Sequence, residues 1–482
     1  MILASIGSEP ASRPYLRRPF HEMWRTGPGA AAARLRTLFA DGSDLSLVRR
    51  LAGAAFMIRV VAAFLAYVSQ VVFARWLGSF EFGIYVYAWT WLLLIGGVVD
   101  LGLGSAAQRF IPEYTEHGQL ALLRGFLAGS RWLALLIASG VAGAATGIIL
   151  LARAVDPSAV LPLCLACIAL PAFGIAQVQS GIARSYDWVN LGLFPTYVLR
   201  QVALLALMGV VFVVGLRTDA VSTMLATVIT LWGCTLGQLV VLNRRLKTVV
   251  APGVKAYAAA TWLKTSAPIS LVEGFFYLLS YTDVIVLSQF RQPDEVAIYY
   301  AAAKTMSLVA FVYFAVAQTV AHKFSEYHVA GDRARLDDFV AHAIRLTFWP
   351  SLGFIVVILA LGMPLLRMFG AGFTAGYYVM FILAVGLLAR AAVGPAERLL
   401  NMLGERRACA QIYASSFAVN LALCVILIPR LGMTGAAIAS AAALVFESVW
   451  LFVVAKFRLG FHCLIIGRPK PSPVPAAIEP QP

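Results

Sequence analysis

Apolar runs close to the roughly 20 residues that a helix needs to cross a bilayer recur along the whole chain. They fall at about 51–73, 82–103, 132–152, 160–181, 191–214, 220–242, 268–290, 296–317, 346–366, 376–396, 412–428 and 433–454, the eleventh being the shortest. None alternates apolar and polar residues as a half-buried strand does, and only helices and closed barrels satisfy their backbone groups in lipid. The pattern predicts an all-α integral membrane protein of about twelve transmembrane helices.

Composition agrees with that reading. Hydrophobic residues make up 61% of the chain and charged residues 13%, against about 45–50% and about 25% in soluble proteins. The formal net charge of +15 would suit nucleic acid, but its placement excludes that partner. Of the 38 Lys and Arg residues, 28 fall in the termini and every second loop, 6 in the opposite loops and 4 inside the spans. Cytoplasmic loops carry the excess of positive charge, so both termini are expected in the cytoplasm. Residues 1–50 read as a basic tail with a short surface helix near 31–39 and no cleavable signal peptide. Residues 459–482 read as a flexible cytoplasmic tail.

The two halves of the chain, 51–242 and 265–458, repeat one another. EFGIY at 81–85 matches EVAIY at 295–299, 214 residues later. Arg109, Phe110, Glu113 and Tyr114 match Lys323, Phe324, Glu326 and Tyr327, and Gly118, Leu123 and Phe126 fall on Gly331, Leu336 and Phe339. Each half starts on the cytoplasmic side and holds an even number of helices. They are therefore expected to be parallel six-helix repeats around a central cavity, with the substrate path between them. Residues 243–264 are expected to join them as a helix on the cytoplasmic surface.

Several short motifs are absorbed by this architecture. Gly102, Gly104 and Ala107 have the spacing of a dinucleotide-binding turn, but no strand precedes them, so the glycines are assigned to helix packing or to the exit from the membrane. Gly143 with Gly147, and Gly435 with Ala439 and Ala443, read as small-residue faces for close helix contact. Cys164 and Cys167 lie in an apolar run with no partner pair or histidine nearby, so they read as small apolar side chains. No cofactor or metal is implied, and no catalytic constellation appears, so the chain is not expected to be an enzyme.

The stretch FARWLGSFEFGIYVYAWTWLLLIGGVVDLGLGSAAQRFIPEY resembles the first two helices of bacterial polysaccharide flippases. LIPRLGMTGAAIASAAAL at 427–444, LLNMLGERR before the eleventh span and YTDVIVLSQF in the seventh are also similar to segments of that family. The resemblance covers about 45–460 and extends to a superfamily that includes drug and toxic-compound antiporters and lipid II flippases. It implies translocation of an undecaprenyl-diphosphate-type lipid-linked oligosaccharide across the bacterial cytoplasmic membrane by alternating access. It further implies membrane lipids, and a polysaccharide polymerase with other assembly proteins, as partners.

Charges inside the spans are the candidate site residues, because an intramembrane charge costs about 2.5–3.5 kcal/mol on insertion scales and those that persist usually face a cavity. Arg59, Arg200, Lys304 and Arg390 are candidates for a cationic cavity that grips a diphosphate, arginine's fork suiting its oxygens. Glu273, Asp283, Asp100 and Glu447 are candidates for coupling or gating, with Asp100 also suited to helix-end packing. At the repeat offset Arg59 falls on Glu273, so the two are expected level with each other across the central cleft, as a gate. A drug or small-molecule antiporter of the same superfamily, and a membrane glycosyltransferase or polymerase, are the alternatives.

Overall fold

The computed structural model describes residues 44–152 and 156–465. Most of the basic tail, its expected surface helix near 31–39 and the tail beyond 465 lie outside the described residues. The chain divides into two units after Ala54, and every site discussed below lies in the described residues that follow it. Among the described residues every regular element is helical.

Among the described residues eleven helices are long and apolar enough to cross a membrane. The first, α1 (Asp44–Gly96), is broken at Gly78, where φ is 78° and ψ 171°. Its apolar part, Phe56–Gly96, has 41 residues, about 60 Å at 1.5 Å per residue. That is twice the roughly 30 Å of hydrocarbon in a bilayer. α1 therefore makes two passes, and the bundle has twelve.

The second pass continues after a turn into α2 (Leu103–Glu116), followed by α3 (Leu120–Ala152) and α4 (Pro157–Ser185). α5 (Val189–Phe194) and α6 (Arg200–Val213) form one pass through a π turn at Pro195–Leu199, and α7 (Ala220–Val249) completes the first six. The second set starts with α8 (Ala259–Phe290). α9 (Pro293–Ser307) and α10 (Ala310–Val329) follow, then α11 (Arg333–Ala360) and the short α12 (Gly362–Phe369). A 3-10 turn at Ala371–Gly376 leads to α13 (Tyr377–Val393), α14 (Ala396–Met402), α15 (Arg406–Leu431) and α16 (Met433–Arg458). Several helices overshoot the apolar runs; α15 has 26 residues, because helical hydrogen bonding continues past the point where side chains turn polar.

Contacts recur between the two sets. Glu81 Oε2 accepts the Ala220 N–H at 3.0 Å, and Glu295 Oε1 accepts the Met433 N–H at 2.6 Å. Each glutamate thus satisfies an orphan donor at the first turn of its set's sixth pass. Phe110 meets Phe126 with ring centroids 5.4 Å apart, and Phe324 meets Phe339 at 5.7 Å. Gly118 and Gly331 end equivalent helices with φ of 66° and 68°. The polar and aromatic matches at offset 213–214 are therefore matches of position and contact.

Two expectations are corrected. No separate surface helix forms over 243–264: α7 runs to Val249, and an extended segment follows, with the Ala256 N–H bonded to the Ala121 carbonyl at 2.9 Å. The segment 459–465 packs back onto the bundle rather than hanging free. Phe461 and Cys463 are buried, and Ile465 donates its N–H to the Ala392 carbonyl.

At the end of the bundle away from the termini, the two sets close on each other. Arg75 of α1 donates to the carbonyls of Met368 at 2.6 Å and Arg367 at 2.9 Å. The Ser79 hydroxyl donates to Asp294, and a Cβ on Gly83 would lie 1.9 Å from the Pro293 carbonyl oxygen.

The small-residue faces divide. A Cβ on Gly181 would lie 2.0 Å from the Gly104 carbonyl oxygen, and one on Gly435 2.6 Å from that of Leu427. Ala439 and Ala443, one and two turns further along that helix, are fully buried. By contrast, a Cβ added at Gly143 or Gly147 would meet nothing within 4 Å, so that pair is not a close helix contact among the described residues. Gly181→Ala is expected to destabilise by about 1–3 kcal/mol, the usual cost of overpacking. Gly143→Ala and Gly147→Ala should match the parent within about 0.5 kcal/mol. Thermal denaturation in detergent reads the contrast, and equal melting points for Gly181→Ala and the parent would refute the close crossing.

Candidate functional site

The second pass breaks because Leu101 and Gly102 both take positive φ, 49° and 73°. The Asp100 carboxylate stabilises the break by accepting the N–H of Gly102 at 3.2 Å and of Gly104 at 2.9 Å. This turn lies against α8: a Cβ on Gly102 would meet the Ser266 carbonyl oxygen at 2.7 Å, and one on Gly97 the Tyr277 ring at 2.5 Å. Only glycine lets the backbone approach that closely. One residue into the next turn, the Ser105 hydroxyl donates to Glu273 Oε1 of α8 at 2.8 Å.

Between these elements lies a polar cavity of about 200 Å³, walled by Arg59, Asp100, Ser105, Arg184, Tyr197, Glu273 and Tyr277 among others. It joins the first set of helices to α8 of the second. Arg59 and Arg184 face it with Asp100 and Glu273, so the formal charge of its walls balances. The arginines and the acids are not equivalent, however. Asp100 is committed to backbone N–H groups and Glu273 to Ser105. Arg184 Nε donates to the Ser180 carbonyl of its own helix, and neither arginine forms an ion pair within 4.0 Å among the described residues. The cavity therefore presents cations whose charge is compensated across a gap and not by contact.

Arg59 and Glu273 both line this cavity, and no ion pair joins them among the described residues. The other sequence candidates lie elsewhere. Arg200 of α6 stacks on Trp89, its guanidinium carbon 5.1 Å from the ring centroid, and its Nε and Nη1 are buried without a hydrogen-bond partner. Lys304 of α9 has its Nζ 5.6 Å from the Tyr300 ring centroid. Arg390 lies within 3.9 Å of Glu397 and 3.6 Å of Glu447, and 5.0 Å from the Tyr313 ring centroid. Asp283 accepts from the Tyr299 and Ser440 hydroxyls. With Arg390 and Asn420 it lines a second pocket of about 220 Å³, within the second set of helices. The four cations expected in one cavity are thus spread over four environments.

Arg184, Tyr197 and Tyr277 were not read from the sequence as site residues. Arg184 stands at the end of an apolar run and counts there as a loop charge. The signal that could have found it is Gly181, three residues earlier, which marks a close crossing that fixes the direction of this helix end.

Comparison with known proteins places this geometry in context. The family model described as polysaccharide biosynthesis protein matches residues 49–322, more than half of the chain. The chain belongs to that family. It is 23% identical over 407 residues to the probable low-salt glycan biosynthesis flippase Agl15 of Haloferax volcanii, covering 82% of this chain and 80% of the relative. Among solved structures it is similar to an inward-facing multidrug resistance MATE family transporter of the MOP superfamily. There the TM-score is 0.67 at 13% identity, over 84% of this chain and 94% of that one. It is also similar to the lipid II flippase MurJ in an inward closed conformation, with a TM-score of 0.65 at 16% identity, over 84% and 87% of the two chains. At these identities the solved structures establish the shared fold, an all-α bundle of roughly twelve membrane helices.

Proposed function

We propose that this member of the polysaccharide biosynthesis family is a flippase for polyprenyl-diphosphate-linked oligosaccharide, working by alternating access in a bacterial cytoplasmic membrane. The observation that carries the reading is the polar cavity at the junction of the two helix sets, with Arg59 and Arg184 on its wall and hydroxyls of Ser105, Tyr197 and Tyr277 beside them. A diphosphate needs cationic donors, and arginine supplies two parallel N–H groups to its oxygens. At about 200 Å³ the cavity is smaller than the roughly 300–1,000 Å³ of sites that enclose a drug-sized ligand. It suits a diphosphate and not the whole glycan, so the helix sets must part to admit the sugars. The closed contacts of Arg75, Ser79 and Gly83 at the far end then hold that end shut while the substrate enters.

The balancing acids Asp100 and Glu273 favour one second reading, an ion-coupled small-molecule antiporter in which a carboxylate carries the coupling ion. Deletion of the gene separates the two. The flippase reading expects lipid-linked repeat units to accumulate on the cytoplasmic leaflet and surface polysaccharide to fall. Unchanged lipid-linked pools with a lost drug-resistance phenotype would favour the antiporter.

The orientation follows from the 28-to-6 split of positive charge. Reporter fusions at Leu459 and in the turn before Glu295 are expected on opposite sides of the membrane, with Leu459 cytoplasmic. The same side for both would overturn the twelve-pass topology.

A further inference from the structure

One thin element walls the central cavity on one side. α5 and the π turn after it present Leu193 and Tyr197 to the cavity, and Leu191, Pro195 and Leu199 to a groove of about 450 Å³ on their other side. The groove is open, with Leu199 and Val241 exposed on its rim, and α7 forms its floor. A Cβ on Gly233 or Gly237 of α7 would meet nothing within 4 Å among the described residues, so the floor is hollow where these two side chains are missing. The polar groups of the floor are turned away from it. Gln238 Nε2 donates to the Leu191 carbonyl at 2.8 Å, and the Thr230 hydroxyl to the Ala226 carbonyl at 2.8 Å. From Thr230 to Val241 α7 rises about 16 Å, half of the ~30 Å hydrocarbon. Packed helices sit about 8–10 Å apart, so the seam between two of them admits one hydrocarbon chain and not a pair. The groove is an apolar slot, one chain wide and one leaflet deep.

At its cytoplasmic end the slot meets cations. Arg244 and Arg245 follow Val241 by one turn of α7, and the helical repeat sets them on either side of the face that carries Gly237 and Val241. Both are exposed, and neither forms an ion pair within 4.0 Å among the described residues. The Arg245 guanidinium carbon lies 5.5 Å from the ring centroid of Trp188, in the turn between α4 and α5. Arg184 of the central cavity lies against the start of α5, its Cγ 3.2 Å from where a Cβ on Gly192 would stand. Across residues 180–199 and 230–250 the one acid is Asp187, against Arg184, Arg244, Arg245 and Lys247. A single apolar slot headed by unpaired arginines complements a single-chain lipid with a diphosphate head.

We propose that this groove is a loading site, where the polyprenyl-diphosphate-linked oligosaccharide docks from the cytoplasmic leaflet before its head enters the central cavity. This rests on the flippase reading. The first isoprene units fill the slot, the diphosphate lies at Arg244 and Arg245, and the sugars extend into the cytoplasm. Arg245 contacts the chain between α4 and α5 at Trp188, and Arg184 contacts it at Gly192, so this short connection links the docking cations to the cavity. A phospholipid, with two chains, fits the slot poorly.

Photo-crosslinking of the full chain in proteoliposomes tests this, with a radiolabelled short-chain polyprenyl-diphosphate disaccharide as probe. Benzoylphenylalanine is placed at Val241 in the groove, at Leu236, an exposed position of the same helix outside it, or at Tyr197 in the central cavity. Val241 and Tyr197 are expected to capture the probe and Leu236 to capture little, with no competition at Val241 from excess phosphatidylglycerol. Arg244→Gln with Arg245→Gln should cut capture at Val241 by on the order of tenfold, the loss of a charged hydrogen bond. Gly233→Leu with Gly237→Leu fills the slot and places better helix formers in α7. The melting temperature of that variant should not fall, and its capture at Tyr197 from dilute probe should drop by on the order of tenfold. Full capture at Tyr197 in the filled variant, or equal capture at Leu236 and Val241, would overturn the loading site and leave translocation standing. So would equal competition by phosphatidylglycerol, the mark of an ordinary lipid contact. Capture at neither Val241 nor Tyr197 would overturn the flippase reading itself.

Discussion

Replacing Arg390 by alanine is expected to leave little folded protein in the membrane. Glu447 is fully buried, and neither of its carboxylate oxygens accepts a hydrogen bond. Its compensation is the Arg390 guanidinium at 3.6 Å, which also lies 3.9 Å from Glu397. Removing one partner of a buried pair costs about 3–5 kcal/mol, because the charge left behind keeps its desolvation penalty and loses its attraction. Whole domains are stable by only about 5–15 kcal/mol. Arg390→Ala should therefore lower both the melting temperature in detergent and the amount of protein recovered from membranes. Replacing both charges, Arg390→Ala with Glu447→Ala, should recover much of the loss, since apolar substitutes for a buried pair are often neutral. If that double variant also exports normally, Arg390 serves the fold and not the substrate. An unchanged melting point for Arg390→Ala would refute the structural role.

Export should fall by one to two orders of magnitude in Arg184→Ala while the protein stays in the membrane. A hydrogen bond to a charged group is worth about 1.5–3 kcal/mol, and about 1.4 kcal/mol is tenfold. Lipid-linked pools, scored against protein level by immunoblot, read the effect; normal export would remove Arg184 from the site. The Arg59 and Glu273 charges are tested by exchange. Arg59→Glu alone makes the cavity wall negative, and Glu273→Arg alone makes it positive and breaks the Ser105 bond. Each should impair export. The double exchange restores the balance of charge without the original Ser105 contact, so recovery should be partial. Strictly additive defects, or single variants that export normally, would dispose of Arg59 and Glu273 as a gate.

The architecture was legible because lipid imposes a one-dimensional rule. A crossing helix must stay apolar for about 20 residues whatever it packs against, so the twelve passes stand in the sequence as twelve runs. The recurring contacts were legible for a related reason. Glu81 and Glu295 perform one task, capping the sixth pass of their set, and a polar side chain with that task cannot drift as leucine and valine can. Gly104 was rightly read as a packing glycine, yet Gly143 and Gly147 carry the same signature and a Cβ on either would meet nothing within 4 Å among the described residues. A small residue permits a close approach without causing one.

The partners of the charges were decided only in three dimensions. Arg390 and Glu447 stand 57 positions apart on different helices, and Arg184 faces Arg59 and Glu273 from three separate elements. Hydropathy records how deep a residue sits but not the direction in which it points. Direction comes from helix rotation and crossing, set here by contacts such as Gly181 on Gly104 and Gly102 on Ser266. The sequence by itself therefore determined an all-α bundle of twelve passes with recurring contacts, because each helix answers to the membrane alone. Which cations share a cavity and which are neutralised was left to tertiary packing, because a side chain's partner depends on every helix that packs against its own.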